Sequence, residues 1–287
     1  HGCAWGYIGS CIPFIACLAV VLGGSSFGID AKLGMKIAFI ITAVWWVIFT
    51  VPVAKNVKQL HGKKRSDHVL RTTISGLKGT VKSIMKDKSL SGLAGTMRKI
   101  TKDKSLFFFM LAFFFYIDGV HTIITMSTSY GTDLGIDSTQ LVLALLVTQF
   151  VAFPSAIAYG NLAKRFGTKR MLKVGVLAYF FIVLFAAFFL KSAVEFWILA
   201  ICVGLFQGGI QALSRSEYGK LIPKERANEY YGFFDIFGKY AAVMGTFLVS
   251  AFTQLTGSSS LGVLSIALLF IVGFLFLRAM PPMLGDS

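Results

Sequence analysis

The sequence predicts an all-α polytopic membrane protein with eight transmembrane helices. Three observations predict it. Hydrophobic residues make up 55% of the 287 residues and charged residues only 14%, whereas soluble chains carry about 25% charged residues. The mean hydropathy is +0.73, more apolar surface than a soluble core can hide. Finally, the apolar residues fall into eight stretches of about 20, the length a helix needs to cross the hydrocarbon core, with no strand-like alternation between them.

The stretches run over 4–23, 34–54, 106–127, 139–161, 172–190, 196–214, 233–254 and 261–279. The first starts almost at His1, with no charged segment or cleavage pattern before it. His1 is therefore expected to be an internal residue of a longer protein. The second, fifth and eighth contain Ile37–Thr50, Val174–Leu190 and Leu261–Leu277, which carry no charge. They are expected to be peripheral and to face lipid, while the more polar stretches line a water-accessible pathway. The fourth contains Pro154, which frees a backbone carbonyl, and Gln149 nearby.

Charge sets the domain organisation and orientation. The net charge is +15, but the segment from Lys55 to Lys104 alone holds 14 Lys and Arg against three acids, a net +11. A basic block beside apolar spans marks a cytoplasmic loop rather than a nucleic-acid interface. Lys164, Arg165, Lys169, Arg170 and Lys173 mark 163–173 as a second such loop, and Arg215, Lys220, Lys224 and Arg226 a third. Both termini are thus expected on the cytoplasmic side of a cell (inner or plasma) membrane. Three segments follow: 1–54 with two spans, a basic loop over 55–105, and a six-span half over 106–287. A six-span bundle after a long cytoplasmic loop is the arrangement of a transporter half; two spans before it leave four missing if the halves match. Within the loop, 76–90 and 92–106 share ten of fifteen residues at a period of 16. Each copy reads as a basic amphipathic helix for an anionic membrane surface or as a solvated basic linker. The four cysteines lack CxxC spacing, and neither a metal site nor a cofactor is expected.

The chemistry-bearing residues concentrate in three spans. In the third, Asp118, His121, Thr122 and Thr125 recur at helical spacing and are expected on one face. A carboxylate at that depth costs several kcal/mol unless paired or wetted, which makes Asp118 a candidate for proton or ammonium binding; a structural tie to another helix is the alternative. In the sixth, Gln207 and Gln211 offer neutral donors and acceptors, beside Gly204, Gly208 and Gly209, which permit close helix approach. The glutamines serve either a polar solute or helix–helix bonding. Arg215 and Glu217 are expected as a gate or anchor. In the seventh, Asp235 and Lys239 stand at i and i+4 in the order that favours an intrahelical ion pair, either structural or opened by solute.

These residues carry a resemblance. The segment Gly160–Arg170, GNLAKRFGTKR, resembles the loop signature of the major facilitator superfamily through Gly160, Arg165, Gly167, Lys169 and Arg170, with Lys164 where an Asp is usual. Tyr116–Ile123, Gln207–Ser216, Tyr230–Gly245 and Gly2–Gly9 resemble the vacuolar amino-acid effluxer-like branch and its bacterial relatives; Thr246 stands where that branch often has proline. The resemblance implies a twelve-helix fold of two pseudo-symmetric halves, of which these spans are helices 5–12. It also implies that the third, fourth, sixth and seventh line the cavity.

The expected function is secondary active transport of a small polar solute, amino-acid efflux being one candidate, by alternating access and driven by a proton or other gradient. The expected partners are the membrane lipids and the solute, with no nucleic acid. Transport of lipid-like or drug-like amphiphiles is a second reading, suited to the phenylalanine-rich third span. A non-transporting truncated protein is a third. An enzyme is not expected: HExxH and GKS/GKT motifs are missing, and GSSFG at 24–28 follows no strand.

Overall fold

In a computed structural model, residues 2–24, 28, 30–56, 100–224 and 227–281 are described. The first repeat copy, most of the second and Arg226 lie outside them. All eight predicted spans are helices: α1 (Gly2–Gly23), α2 (Ala31–Asn56), α3 (Lys104–Asp133), α4 (Ser138–Phe166), α5 (Thr168–Phe189), α6 (Ala193–Leu221), α7 (Ala227–Thr256) and α8 (Ser259–Ala279). Each is long and apolar enough to cross a membrane. Most run several residues beyond the apolar stretch that announced them, because helical hydrogen bonding continues into the polar ends.

The helix ends are written in local chemistry. Asp103 caps α3, its Oδ1 accepting from the Leu106 N–H at 3.1 Å. The last residues of the second repeat copy thus form the cap and first turn of this helix. Asp137 caps α4 in the same way, accepting from the Thr139 N–H at 2.8 Å. The loop predicted over 163–173 is instead a single residue between two helices. Gly167, at φ 87° and ψ 140°, ends α4 and begins α5. That region is nearly closed to any residue with a Cβ, so glycine alone makes so sharp a turn without strain.

The chain forms two compact units, His1–Ile15 with Asp103–Ser287, and Ala16–Lys102. In the second, Cys17 Sγ donates to the Ala38 carbonyl at 3.4 Å, joining the end of α1 to α2. The apolar stretch of α2 buries none of its residues.

In the first unit α3 to α8 form a bundle. The α4–α6 pairing is the most extensive, and the glycines singled out in α6 are its cause. A Cβ on Gly208 would lie 2.5 Å from the Ala152 carbonyl oxygen, and one on Gly204 would lie 2.7 Å from that of Thr148. The backbones meet where a side chain would stand. α3 packs against α7 and α8, and α8 also against α5 and α7. A Tyr116–Ser214 hydroxyl pair at 2.7 Å ties α3 to α6 in the core.

The lipid-facing expectation for the fifth and eighth spans is only half right. Neither lines the main cavity, yet α8 buries half of its apolar window and α5 39% of its own. An apolar side chain serves equally against lipid or against another helix, so hydropathy does not separate the two.

Candidate functional site

A cavity of about 600 Å³ opens between α3, α6 and α7. α3 supplies Phe113, Ile117 and His121, one helical turn apart. α6 supplies Gln211 and Arg215, and α7 supplies Phe234, Asp235, Gly238 and Lys239. Three of the four spans expected at a pathway thus meet around one space, but α4 adds no lining residue. The glycine-mediated α4–α6 contact turns the α4 inner face onto α6 instead.

The Asp235–Lys239 pair expected within α7 is not formed. Asp235 Oδ1 accepts from Arg215 Nη2 across the cavity at 2.5 Å, with about half of each side chain exposed. Spacing makes Asp235 and Lys239 neighbours; it cannot reveal the competing guanidinium, whose fixed fork of donors suits a carboxylate better than an ammonium. Lys239 lines the same cavity and has no ion pair with a described residue. Gln211 Oε1 accepts from the Tyr7 hydroxyl of α1 at 2.9 Å. Phe113 and Phe234 stack with centroids 4.0 Å apart and form the apolar wall.

Asp118 lies beside this cavity, not in its wall. It is fully buried at the α3–α7 contact. Oδ1 accepts from the Gly245 N–H at 3.0 Å and from the Thr122 hydroxyl at 3.4 Å. Oδ2 is buried without a hydrogen-bond partner among the described residues. Gly245 is what admits the carboxylate: a Cβ there would stand 2.9 Å from Asp118 Oδ1 and from Thr122 Cβ. The expected single face of Asp118, His121, Thr122 and Thr125 is therefore split. Positions i+3 and i+4 fall about 60° and about 40° to opposite sides of i, about 100° from each other. Thr122 follows Asp118 into the interface, His121 turns to the cavity, and Thr125 is exposed with its hydroxyl on the His121 carbonyl.

Gln207 and Gln211, four residues apart, part because α4 lies over the first while the main cavity opens beside the second. Gln207 is buried, and with Gln149 it lines a separate small cavity of about 40 Å³ between α3, α4 and α6. Its Oε1 has no hydrogen-bond partner among the described residues.

The signature residues gather at the basic end of the bundle. Glu217 is almost wholly buried and pairs with Lys220 at 3.1 Å, and Lys220 also donates to Thr168 Oγ1 at 2.7 Å. This joins the end of α6 to the start of α5. Lys169 donates to the carbonyl oxygens of Met280 and Pro281, fastening the α4–α5 turn to the end of α8. The Arg165 guanidinium lies 5.4 Å from the centroid of the neighbouring Phe166 ring. Gly160 has open space around it, and Arg170 is exposed. Of the two residues expected as a gate, Arg215 stands in the cavity wall and Glu217 in the anchoring cluster.

Sequence reasoning missed Tyr7, Phe113, Phe234 and Gly245 as parts of the site. Gly245 closes the conspicuous segment from Tyr230, so its place there was a usable signal. Nothing distinguishes Phe113 from the other phenylalanines of the third span.

Residues 1–283 match the family model described as "Vacuole effluxer Atg22 like". The "Uncharacterized MFS-type transporter YxiO" of Bacillus subtilis is 45% identical over 283 residues, covering 98% of this chain and 62% of that protein. "Autophagy-related protein 22" of Cryptococcus neoformans is 26% identical over 267 residues, 88% of this chain and 44% of its own length. The protein of that name in Saccharomyces cerevisiae is 37% identical over 82 residues. The chain spans under two thirds of the length of these relatives.

Proposed function

The chain belongs to the vacuole effluxer Atg22-like family, and from that premise we propose that the whole protein is a secondary active transporter of a small polar solute. It works by alternating access, one half rocking against the other around a central site. The observation that carries this reading is the cavity itself. The imidazole of α3 and the amide and charged side chains of α6 and α7 face one space inside a bundle of membrane-length helices. Polar groups at that depth are costly and persist where a solute or ion passes.

In this reading Arg215, Asp235, Lys239, Gln211 and His121 meet the solute. Asp118 couples its movement to a proton. Its carboxyl group spans the α3–α7 contact through the Gly245 N–H, so a change in its charge acts directly on the packing of a cavity-lining helix. Thr122 orients it. Gln149 and Gln207 sit one layer deeper, and the Gly160–Arg170 turn with Glu217 braces the basic end. The segments 1–54 and 106–287 belong to the two transporter halves, and 55–105 is the cytoplasmic link between them. The resemblance of the sequence to the vacuolar amino-acid effluxer-like branch leads us to test amino acids first, in the cell membrane as the bacterial relative suggests. The stacked Phe113 and Phe234 favour a second reading, an amphiphilic solute with an apolar body.

Counterflow in proteoliposomes tests the assignment. Vesicles containing the full-length protein are loaded with each unlabelled amino acid, and uptake of its labelled form is followed. Transient accumulation of at least one supports the lead reading. Counterflow confined to amphiphiles supports the second, and none with either class sinks transport.

A further inference from the structure

We propose that the cavity between α3, α6 and α7 is a binding site for an organic monoanion, a carboxylate carried on an apolar or aromatic body, with Lys239 as its counter-charge. This rests on reading that cavity as a solute site and names the class of solute it selects.

The argument starts from which polar groups remain unspent. Three charged side chains line the space, Arg215, Asp235 and Lys239. The first two satisfy each other across the cavity. That leaves the Lys239 ammonium as the uncompensated charge, a net +1 on the wall. The Gln211 carbonyl oxygen is likewise engaged, by the Tyr7 hydroxyl, so its amide N–H groups are what it offers inward. With Asp235 Oδ1 and Gln211 Oε1 both occupied, donors still outnumber acceptors: the Lys239 ammonium and the Gln211 amide NH₂ stand against Asp235 Oδ2, while a neutral His121 ring offers one of each. A surplus of donors calls for an acceptor, and an ammonium among them calls for a charged one.

The rest of the wall fixes the body of the solute. Phe113, Phe234 and Ile117 present a continuous apolar surface, with the two rings stacked at 4.0 Å. An aromatic or branched aliphatic group gains contact area there. A cation is disfavoured, because the wall of Arg215, Asp235 and Lys239 carries a net +1. A zwitterion brings its own cation to that net-positive wall and gains less from Lys239 than a monoanion does. One uncompensated cation suits a monoanion better than a polyanion.

Four probes of one shape and different charge decide the matter: 3-phenylpropionate, 3-phenylpropionamide, 3-phenylpropylamine and phenylalanine. Binding to the purified full-length protein is measured by calorimetry. The propionate is expected to bind at least about tenfold tighter than the other three, the ratio one charge-assisted contact typically gives. Lys239→Gln should reduce its affinity to that of the amide, and Lys239→Arg should retain the preference. Equal affinity for acid and amide in the wild type overturns the proposal without any variant. So does tighter binding of phenylalanine or the amine, no binding of any probe, or an unaffected propionate in a folded K239Q protein. Counterflow separates this from the transport reading. Anion-selective binding without counterflow removes transport and leaves the anion site. Counterflow of neutral solutes without anion preference does the reverse.

Discussion

Gly245→Ala tests the α3–α7 contact that the site depends on. The added Cβ would meet Asp118 Oδ1 and Thr122 Cβ at 2.9 Å, with the Thr122 hydroxyl oxygen closer still. None of these atoms is the far end of a flexible chain, since both residues are buried on α3. The helices must therefore move apart. Overpacking of this kind costs about 1–3 kcal/mol. Stretching the bond from the Gly245 N–H to the carboxylate adds about 1 kcal/mol. The expected loss is then about 2–4 kcal/mol, or a melting temperature lower by about 3–7 °C for a chain of this size. Thermal denaturation of the detergent-solubilised full-length protein reads it. Thr122→Ala removes the closest obstructing atom, so G245A/T122A should be more stable than additivity allows, by about 1 kcal/mol. A G245A protein that melts like wild type and transports normally would refute the contact. Strict additivity of the two substitutions would refute the proposed cause.

Asp118→Asn keeps an oxygen acceptor for the Gly245 and Thr122 donors and puts an amide where Oδ2 lacks a partner. It should melt within about 1 kcal/mol of wild type, sustain counterflow and lose gradient-driven accumulation; normal accumulation removes Asp118 from coupling. Gly167→Ala meets no neighbouring atom, so its expected cost of about 1–3 kcal/mol is backbone strain alone, and an unchanged melting temperature would show the turn relaxes. Arg215→Gln should cost under about 1 kcal/mol of stability because the ion pair is half exposed, while impairing counterflow; the reversed pair R215D/D235R should recover part of the transport if the bridge is a gate, and no recovery argues for a direct role of each side chain. Gln207→Leu removes a buried acceptor without a partner and should leave stability unchanged or raised. A loss above about 1 kcal/mol would mean that something bound in the small cavity holds Oε1 in place.

The sequence by itself determined the eight helices, because each had to be long and apolar enough to satisfy its own backbone in lipid. It also located the polar spans, since charge and amide groups are conspicuous against an apolar background. Gly204 and Gly208 even indicated a close helix approach, which proved to be the α4–α6 contact. What it could not determine was the partner of any polar group. Asp235 had a cation four residues away, and only the packing of α6 on α7 handed it to Arg215. Asp118, His121 and Thr122 shared a spacing, and only the positions of α7 and the cavity sent them to different environments. Burial of α8 was equally hidden, because the same apolar residues serve against lipid or protein. Periodicity fixes the angle at which a side chain leaves its helix; the neighbouring helices decide what it meets there.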